Sequence, residues 1–486
     1  MTTGGTLTIT GRRIDEAGRP TDEARRDESA LQEIYPGYRG VDDDYVHAGT
    51  AALERWWDLK FGIRIHLSLY AITGTGPESW PLTRPGQGAS PAFREQYEEL
   101  SKWWNPTRFD AGAWADLFVR AGLKFFTFTT KHHDGFSMYD TKTRVKRRRV
   151  HAGVDAGAIV DCDLAYGIME SPCGRDLTRE LVDAARARGL RVGLYYSHID
   201  WFDADFRIDE WNYQRDPSYT RASDPAGYAR MIARHREQIR ELCTDYGEVD
   251  LLSLDMHFPD DAPVRDDIVE TIKMARRLQP EMLIRRRGID PYGDYRTPER
   301  VVPDDPTSPA AGLDMPWQVI YPGSKHFSHV WSDEYKPASW IVSNLIDIAS
   351  KGGNFQVGYG PGPDGTFDPG IVRELEATGE WLAVNGEGIY ATRPRRIYKE
   401  GERVRYTRSK DKSTVYAFVL ADEDGKAPHD VELTSVRARD ASPVTMLGSA
   451  RPLSYAQDDR ALRIKFPEEL PCAHAWAFKI EVEEEA

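Results

Sequence analysis

The chain is poor in cysteine. Four (Cys162, Cys173, Cys243 and Cys472) are scattered over 486 residues, and none forms a CxxC pair. That spacing excludes a disulfide scaffold and a zinc ribbon, and it suits a reducing compartment. Basic residues are the minority, 64 Lys and Arg against 78 Asp and Glu, for a formal net charge of -14. A nucleic-acid surface needs the opposite balance to neutralise phosphates. The acidic excess also argues against an anionic membrane as partner. No stretch approaches the roughly 18 apolar residues of a membrane span. The opening MTTGGTLTITGRR lacks the apolar core of a signal peptide, so a cytoplasmic location is expected. What the chain does carry is amphipathic aromatic residues: 13 Trp and 23 Tyr against 17 Phe. Such rings build cores, and they also line wet concave sites.

The length suits two or three domains of ordinary size. Residues 1–50 are polar and without clean period, and read as an N-terminal extension ending near the acidic Asp42-Asp43-Asp44. Residues 51–390 repeat one design. A capped helix with a single apolar face stops at a glycine or proline and feeds a short apolar strand. Asp110 precedes such a helix and FFTFTTK follows it; Asp224-Pro225 opens another, and VDLLSLD follows that. Four such units mean parallel strands with helical crossovers. An α/β fold closed as a (β/α)8-like TIM barrel is favoured over an open sheet, because polar residues recur at the strand ends. KHHD, Ser197-His198, Asp255-Met256-His257 and Arg286-Arg287 would then ring one mouth. Residues 391–486 switch to a period of two and read as a C-terminal antiparallel β-sandwich. The basic run Arg144–Arg149 reads first as a solvated loop and second as an anion or subunit contact.

Asp255 ends an apolar strand, where a barrel aims side chains into its mouth. Glu299 and Asp294 lie one strand and loop later. A pair of carboxyl groups flanking one bond is the requirement of glycoside hydrolysis. Adjacent His132 and His133, with His66 and His257, suggest sugar hydroxyl binding first, with a purely structural pair or a metal as alternatives. No HExxH spacing or cysteine set supports the metal. Trp80, Tyr195, Trp201 and Trp317 cluster in the same segments, as rings that stack on sugar faces would.

The motifs FGIRIHLSLY, ESW, KHHDGFSMYD, LYYSHIDWF, DLLSLD, GDYRTPE and GGNFQVGYGPGPDG occur in the order of the α-L-fucosidases of glycoside hydrolase family 29, which the chain resembles over nearly its whole length. The resemblance implies retaining hydrolysis of terminal α-L-fucosyl groups through a covalent glycosyl-enzyme, with no cofactor. It implies Asp255 as nucleophile and Glu299 as general acid/base, with Asp294 the competitor for the second role. His66, His132, His133, Tyr195, Glu78, Trp80 and Trp317 are implied to bind the sugar. The basic residue near the nucleophile is Arg286 or Arg287, of which Arg287 is carried forward. The expected partner is a small or oligosaccharide fucoside, with no nucleic acid and no membrane; a homo-oligomer is admitted. Departures include His66-Leu67-Ser68, Ser253-Leu254, Trp317-Gln318 and an insertion over 145–171. They leave open a related α-L-glycosidase such as an α-L-galactosidase. A silent sugar-binding protein on the same fold and a metal-dependent hydrolase are the rivals from other classes.

Overall fold

The computed structural model describes residues 13–83, 90–257, 264–304, 314–449 and 451–483. The opening residues 1–12, read above for a leader, lie outside them. Helices α1 (Asp22–Ile34) and α2 (Thr50–Leu59) lead into β1 (Phe61–Ile65), and α3 (Tyr70–Thr73), α4 (Pro91–Glu99) and α5 (Ala111–Arg120) lie between it and β2 (Phe125–Lys131). A hairpin, β3 (Val145–Arg149) and β4 (Ile159–Leu164), then precedes α6 (Leu177–Arg186) and β5 (Arg191–Ser197). Next come α7 (Pro225–Thr244), β6 (Leu251–Asp255), α8 (Arg265–Leu278) and β7 (Leu283–Ile284). The barrel part ends with β8 (Gln318–Pro322), α9 (Ala338–Ser350), β9 (Asn354–Tyr359) and α10 (Pro369–Asn385). Among the described residues no helix is long and apolar enough to cross a membrane.

The helices start where their caps dictate. Asp110, Asp176 and Asp224 each accept from a backbone N–H three residues on, at 2.9, 2.8 and 2.9 Å. Pro225 occupies the first position of α7, where no N–H is needed. Strands β1, β2 and β9 are buried along their whole length, as parallel strands covered on both faces must be.

Seven strands form one parallel sheet in the order β7-β6-β5-β2-β1-β9-β8. Its two edges are joined by the extended segment 294–300. Tyr295 bridges to Arg285 beside β7, while Arg296 and Glu299 bridge in parallel to Trp317 and Ile320 at β8. Backbone bonds from Arg286 N to Tyr295 O and from Ile320 N to Pro298 O complete the closure. The barrel is thus closed by an irregular eighth strand that carries Glu299.

Residues 13–48 pack beneath the barrel. Leu31, Tyr38 and Trp56 share a core with Phe125, Leu251 and Leu283, which begin or open β2, β6 and β7. A buried Arg13–Asp27 pair at 2.6 Å ties this segment to itself.

The C-terminal module holds β10 (Arg393–Glu400), β11 (Val404–Arg408), β12 (Thr414–Leu420), β13 (Asp430–Leu433), β14 (Val444–Met446), β15 (Tyr455–Gln457), β16 (Leu462–Lys465) and β17 (Ala475–Glu481). They form an antiparallel sheet β10-β11-β12-β17-β14 and a second, β13-β16-β15. Both contribute to one core, with Tyr406, Val415 and Phe478 facing Leu433, Leu462 and Ile464. Two bonds fasten the module to the barrel's helices: Trp381 Nε1 to Ala475 O at 2.8 Å, and Arg405 to Asp347 at 2.7 Å.

The basic run is solvated at Arg144 and Lys146 but is not free for an anion. Arg144 and Lys146 pair with Asp163 of the same hairpin, Arg147 with Asp205 and Asp224, and Arg148 with Glu95 and Glu98. Its charge is spent bracing α4 and the loop after β5, which border the barrel mouth.

Candidate active site

Asp255 ends β6 and Glu299 sits on the closing segment, so both lie at the C-terminal rim. Arg287 joins them: its Nη1 donates to Asp255 Oδ1 at 2.6 Å and its Nη2 to Glu299 Oε2 at 3.1 Å. Asp255 also accepts from Tyr195 Oη at 2.7 Å and from its neighbour Met256 N at 3.0 Å. Burial pushes the Asp255 carboxyl up, but the Arg287 and Arg285 guanidinium groups, then His133 and Arg64, outweigh it and hold the carboxyl well below the usual range. Asp255 is therefore an anion at any working pH. Burial, then the Asp255 charge, keeps the Tyr195 phenol protonated as its donor. Glu299 is the open member of the pair, with a third of its side chain exposed.

The sugar-side residues converge on the same mouth. His66 follows β1, and its ring lies 5.0 Å from Phe327, 5.9 Å from His132 and 6.1 Å from Tyr195. The His66 Nδ1 is buried with no partner among the described residues, a polar atom left for a hydroxyl. His132 and His133 follow β2 on facing sides. The His132 Nδ1 is hydrogen-bonded with Ser79 Oγ, and the His133 Nδ1 with Ser197 Oγ at 2.8 Å. Burial brings His133 down to about 4, so its ring is neutral at neutral pH. Trp80 stands 5.3 Å from His133 and 5.7 Å from Trp201. Gly135 makes the turn after the histidines. Its φ of +79° and the Asp200 carboxylate against its α-carbon leave no room for a side chain. Among the described residues no three His, Cys, Asp or Glu side chains converge as a metal-ligand set.

Glu78 is buried, and its Oε1 accepts from Phe327 N at 3.0 Å and Ser328 N at 2.9 Å. Burial lifts its carboxyl from 4.5 to about 7 against those donors. Because the folded value is the higher one, folding favours the protonated acid. That contribution is complete below pH 4.5 and lost as pH rises through 7. Glu78→Gln is therefore expected to match the wild type most closely near pH 4.5 and to gain on it above pH 7, by up to about 3 kcal/mol. Thermal melts of both proteins at pH 4.5 and 8 measure this; a constant gap would refute it.

Two expected site residues are not at the mouth. Trp317 precedes the first residue of β8, so it lies at the opposite, N-terminal end of the barrel, in contact with Gly353. Its neighbour Pro316 disguised this, because the strand starts later than the motif suggests. Asp294 is fully buried and accepts from Ala48 N (2.7 Å), Ile284 N (2.6 Å) and Arg276 Nη2 (2.5 Å). It is a structural anchor for the N-terminal segment, away from Asp255 and Glu299. Accordingly Trp80→Ala should lower kcat/KM on an aryl fucoside several-fold, given the ~1 kcal/mol of a stacked ring, whereas Trp317→Phe should leave it within about twofold. Equal effects in steady-state kinetics would reverse this assignment.

Alternation along the RRR triplet places two of its arginines beside Asp255 and the third away from it. Arg285 and Arg287 turn towards Asp255, at 3.4 and 2.6 Å, while Arg286 turns outward to Asp314 at 3.3 Å. Arg285, Phe327, Arg64 and the serine bound to His132, Ser79, were not singled out in the sequence as site residues, whereas Ser197, bound to His133, was. Arg64 was findable, since a strand's period of two puts it on the side of His66. Its guanidinium lies 4.6 Å from the Tyr195 ring centroid.

Comparisons with known proteins address the family and the fold. The alpha-L-fucosidase family model matches residues 43–387, and the model of the alpha-L-fucosidase C-terminal domain matches residues 399–481. The chain is 26% identical to the tissue alpha-L-fucosidase of Homo sapiens over 466 residues, covering 90% of this chain and 91% of that protein. The alpha-L-fucosidase isoenzyme 1 of Paenibacillus thiaminolyticus superposes with a TM-score of 0.74 at 28% identity, over 89% of this chain and 99% of that one. A Bacteroides thetaiotaomicron alpha-L-fucosidase of glycoside hydrolase family 29, solved as a trapped covalent intermediate, superposes with a TM-score of 0.70 at 22% identity, over 90% and 97%. Site, fold and family model concur: this chain belongs to the alpha-L-fucosidase family.

Proposed function

We propose that the protein removes terminal α-L-fucosyl groups with retention of configuration, through a fucosyl ester on Asp255. The observation that carries this is the pair Asp255 and Glu299 on one guanidinium, beside a pocket of neutral histidines and tryptophan. The trapped intermediate of the Bacteroides relative supports a covalent path. The four free thiols support a cytoplasmic setting.

In the first step the Asp255 carboxylate attacks the anomeric carbon. The glycosidic C–O bond breaks, and Glu299 gives its proton to the departing oxygen. Tyr195 holds Oδ2 of Asp255 through its hydroxyl, leaving the other carboxylate oxygen on Arg287. In the second step Glu299 takes a proton from water, the water oxygen bonds to the anomeric carbon, and the Asp255 ester bond breaks. His66, His132 and His133 meet the ring hydroxyls, as donors or acceptors according to tautomer. Burial of these rings keeps them uncharged, so they add no charge against the oxocarbenium-like transition state.

A panel of aryl α-L-fucosides, aryl α-L-galactosides and fucosylated oligosaccharides tests the proposal. Turnover of the fucosides with α-L-fucose as first product is expected. Preference for the galactosides would move the assignment to the related L-sugar, and no turnover of any would leave a sugar-binding protein.

A further inference from the structure

A second concave site lies at the opposite end of the barrel from Asp255. It is a cleft of about 350 Å³ between the barrel's N-terminal end and β10. The five residues of β1 separate its Lys60 from His66 at the mouth, roughly 20 Å along the strand. Tyr35, Trp57, Trp317 and Tyr398 supply ring faces, Lys60 and Arg396 supply basic groups, and Lys351 is paired with Asp347 at 2.8 Å. None of the described residues lining it is acidic. Glu54 and Asp58 sit beside it, engaged by Arg393 and Lys410.

Two donors here are unspent. Lys60 is 1% exposed, yet its Nζ has no hydrogen-bond partner among the described residues, and neither has the Trp57 Nε1. Native interiors rarely bury such groups without a partner, and an isolated ammonium is the most costly case. Burial, then the nearby Arg393 charge, brings the Lys60 amine down to about 7. A bound anion would supply the missing acceptor and restore its charge. Aromatic faces beside it match the apolar C–H face of a pyranose, while an exposed arginine at the rim matches a carboxylate or sulfate.

We propose that this cleft binds an acidic pyranose, a sugar ring bearing a carboxylate or sulfate, independently of the catalytic mouth. The experiment is calorimetric titration of the full chain with glucuronic acid and with galactose 6-sulfate, and in parallel with galactose and with inorganic sulfate. Either acidic sugar is expected to bind at least about tenfold more tightly than galactose or sulfate alone, and L-fucose should not displace it. Lys60→Met should weaken it by about tenfold or more, the usual consequence of losing a charged hydrogen bond. Arg396→Gln, at an exposed rim position where folding is not at stake, should weaken it several-fold. The proposal is overturned by no binding, by inorganic sulfate binding as tightly as the sugars, by displacement with L-fucose, or by unchanged affinity in both variants.

Discussion

Asp255→Ala is expected to lower kcat/KM on an aryl α-L-fucoside by at least about a thousandfold, or about 4 kcal/mol of transition-state stabilisation. The reason is positional. Asp255 is the last residue of a strand whose other side chains are buried apolar groups and one serine, so its backbone cannot drift. Four separate groups fix its oxygens: Tyr195, Arg287, Arg285 and its own neighbour's N–H. The truncation leaves a gap where the carboxylate stood and leaves Arg285 and Arg287 unneutralised. Azide has the charge and size to enter that gap. Attack there involves one displacement, so the product should be the β-L-fucosyl azide, of inverted configuration. Mass spectrometry and NMR of the product identify it. Turnover near the wild-type level, or an α-configured azide, would exclude Asp255 as the nucleophile. Retained activity could not be excused by a carboxylate nearby, because Asp294 is committed to Ala48, Ile284 and Arg276.

Much of this was legible from the chain. The strand β2 and β5 boundaries coincide with the apolar runs FFTFTTK and RVGLYYS, since a fully buried parallel strand writes itself as a continuous hydrophobic stretch. The histidine pair, Tyr195 and Asp255 follow from strand ends. Three features did not follow. The eighth strand is irregular and held by isolated bridges, so it lacks an apolar run and reads as loop. Trp317 carries the same composition signal at either end of a barrel, and only the start of β8 tells which. Ser79 is a serine between Glu78 and Trp80 in the chain; in the fold its hydroxyl is the partner of His132. Packing partners distant in sequence decide all three, and no local pattern encodes them. The basic run 144–149 is a similar case, because its acidic partners come from four other segments.

Glu299 is the harder assignment, and its variants separate two roles. Glu299→Ala should reduce turnover of a fucoside with a poor leaving group by about a hundredfold to ten-thousandfold, the range of a lost general acid. With a leaving group that needs no proton, such as dinitrophenolate, the first step should be nearly spared. The second step should then limit the rate, because no base remains for water. Azide needs no deprotonation, so it should restore turnover of that substrate and yield the α-L-fucosyl azide after two displacements. This configuration is opposite to that from Asp255→Ala, so the two products assign the two carboxylates independently. Glu299 is also the partner of Arg287 at 3.1 Å and lies 3.6 Å from Arg285, so truncation alone could act by letting Arg287 swing. Glu299→Gln controls for this: its amide oxygen still accepts from Arg287 but has no proton to give at the glycosidic oxygen. If Gln and Ala variants lose activity alike on the poor leaving group, proton transfer is the role. If Gln is nearly wild type while Ala is not, Glu299 positions Arg287, and the acid must be sought on another loop of the mouth.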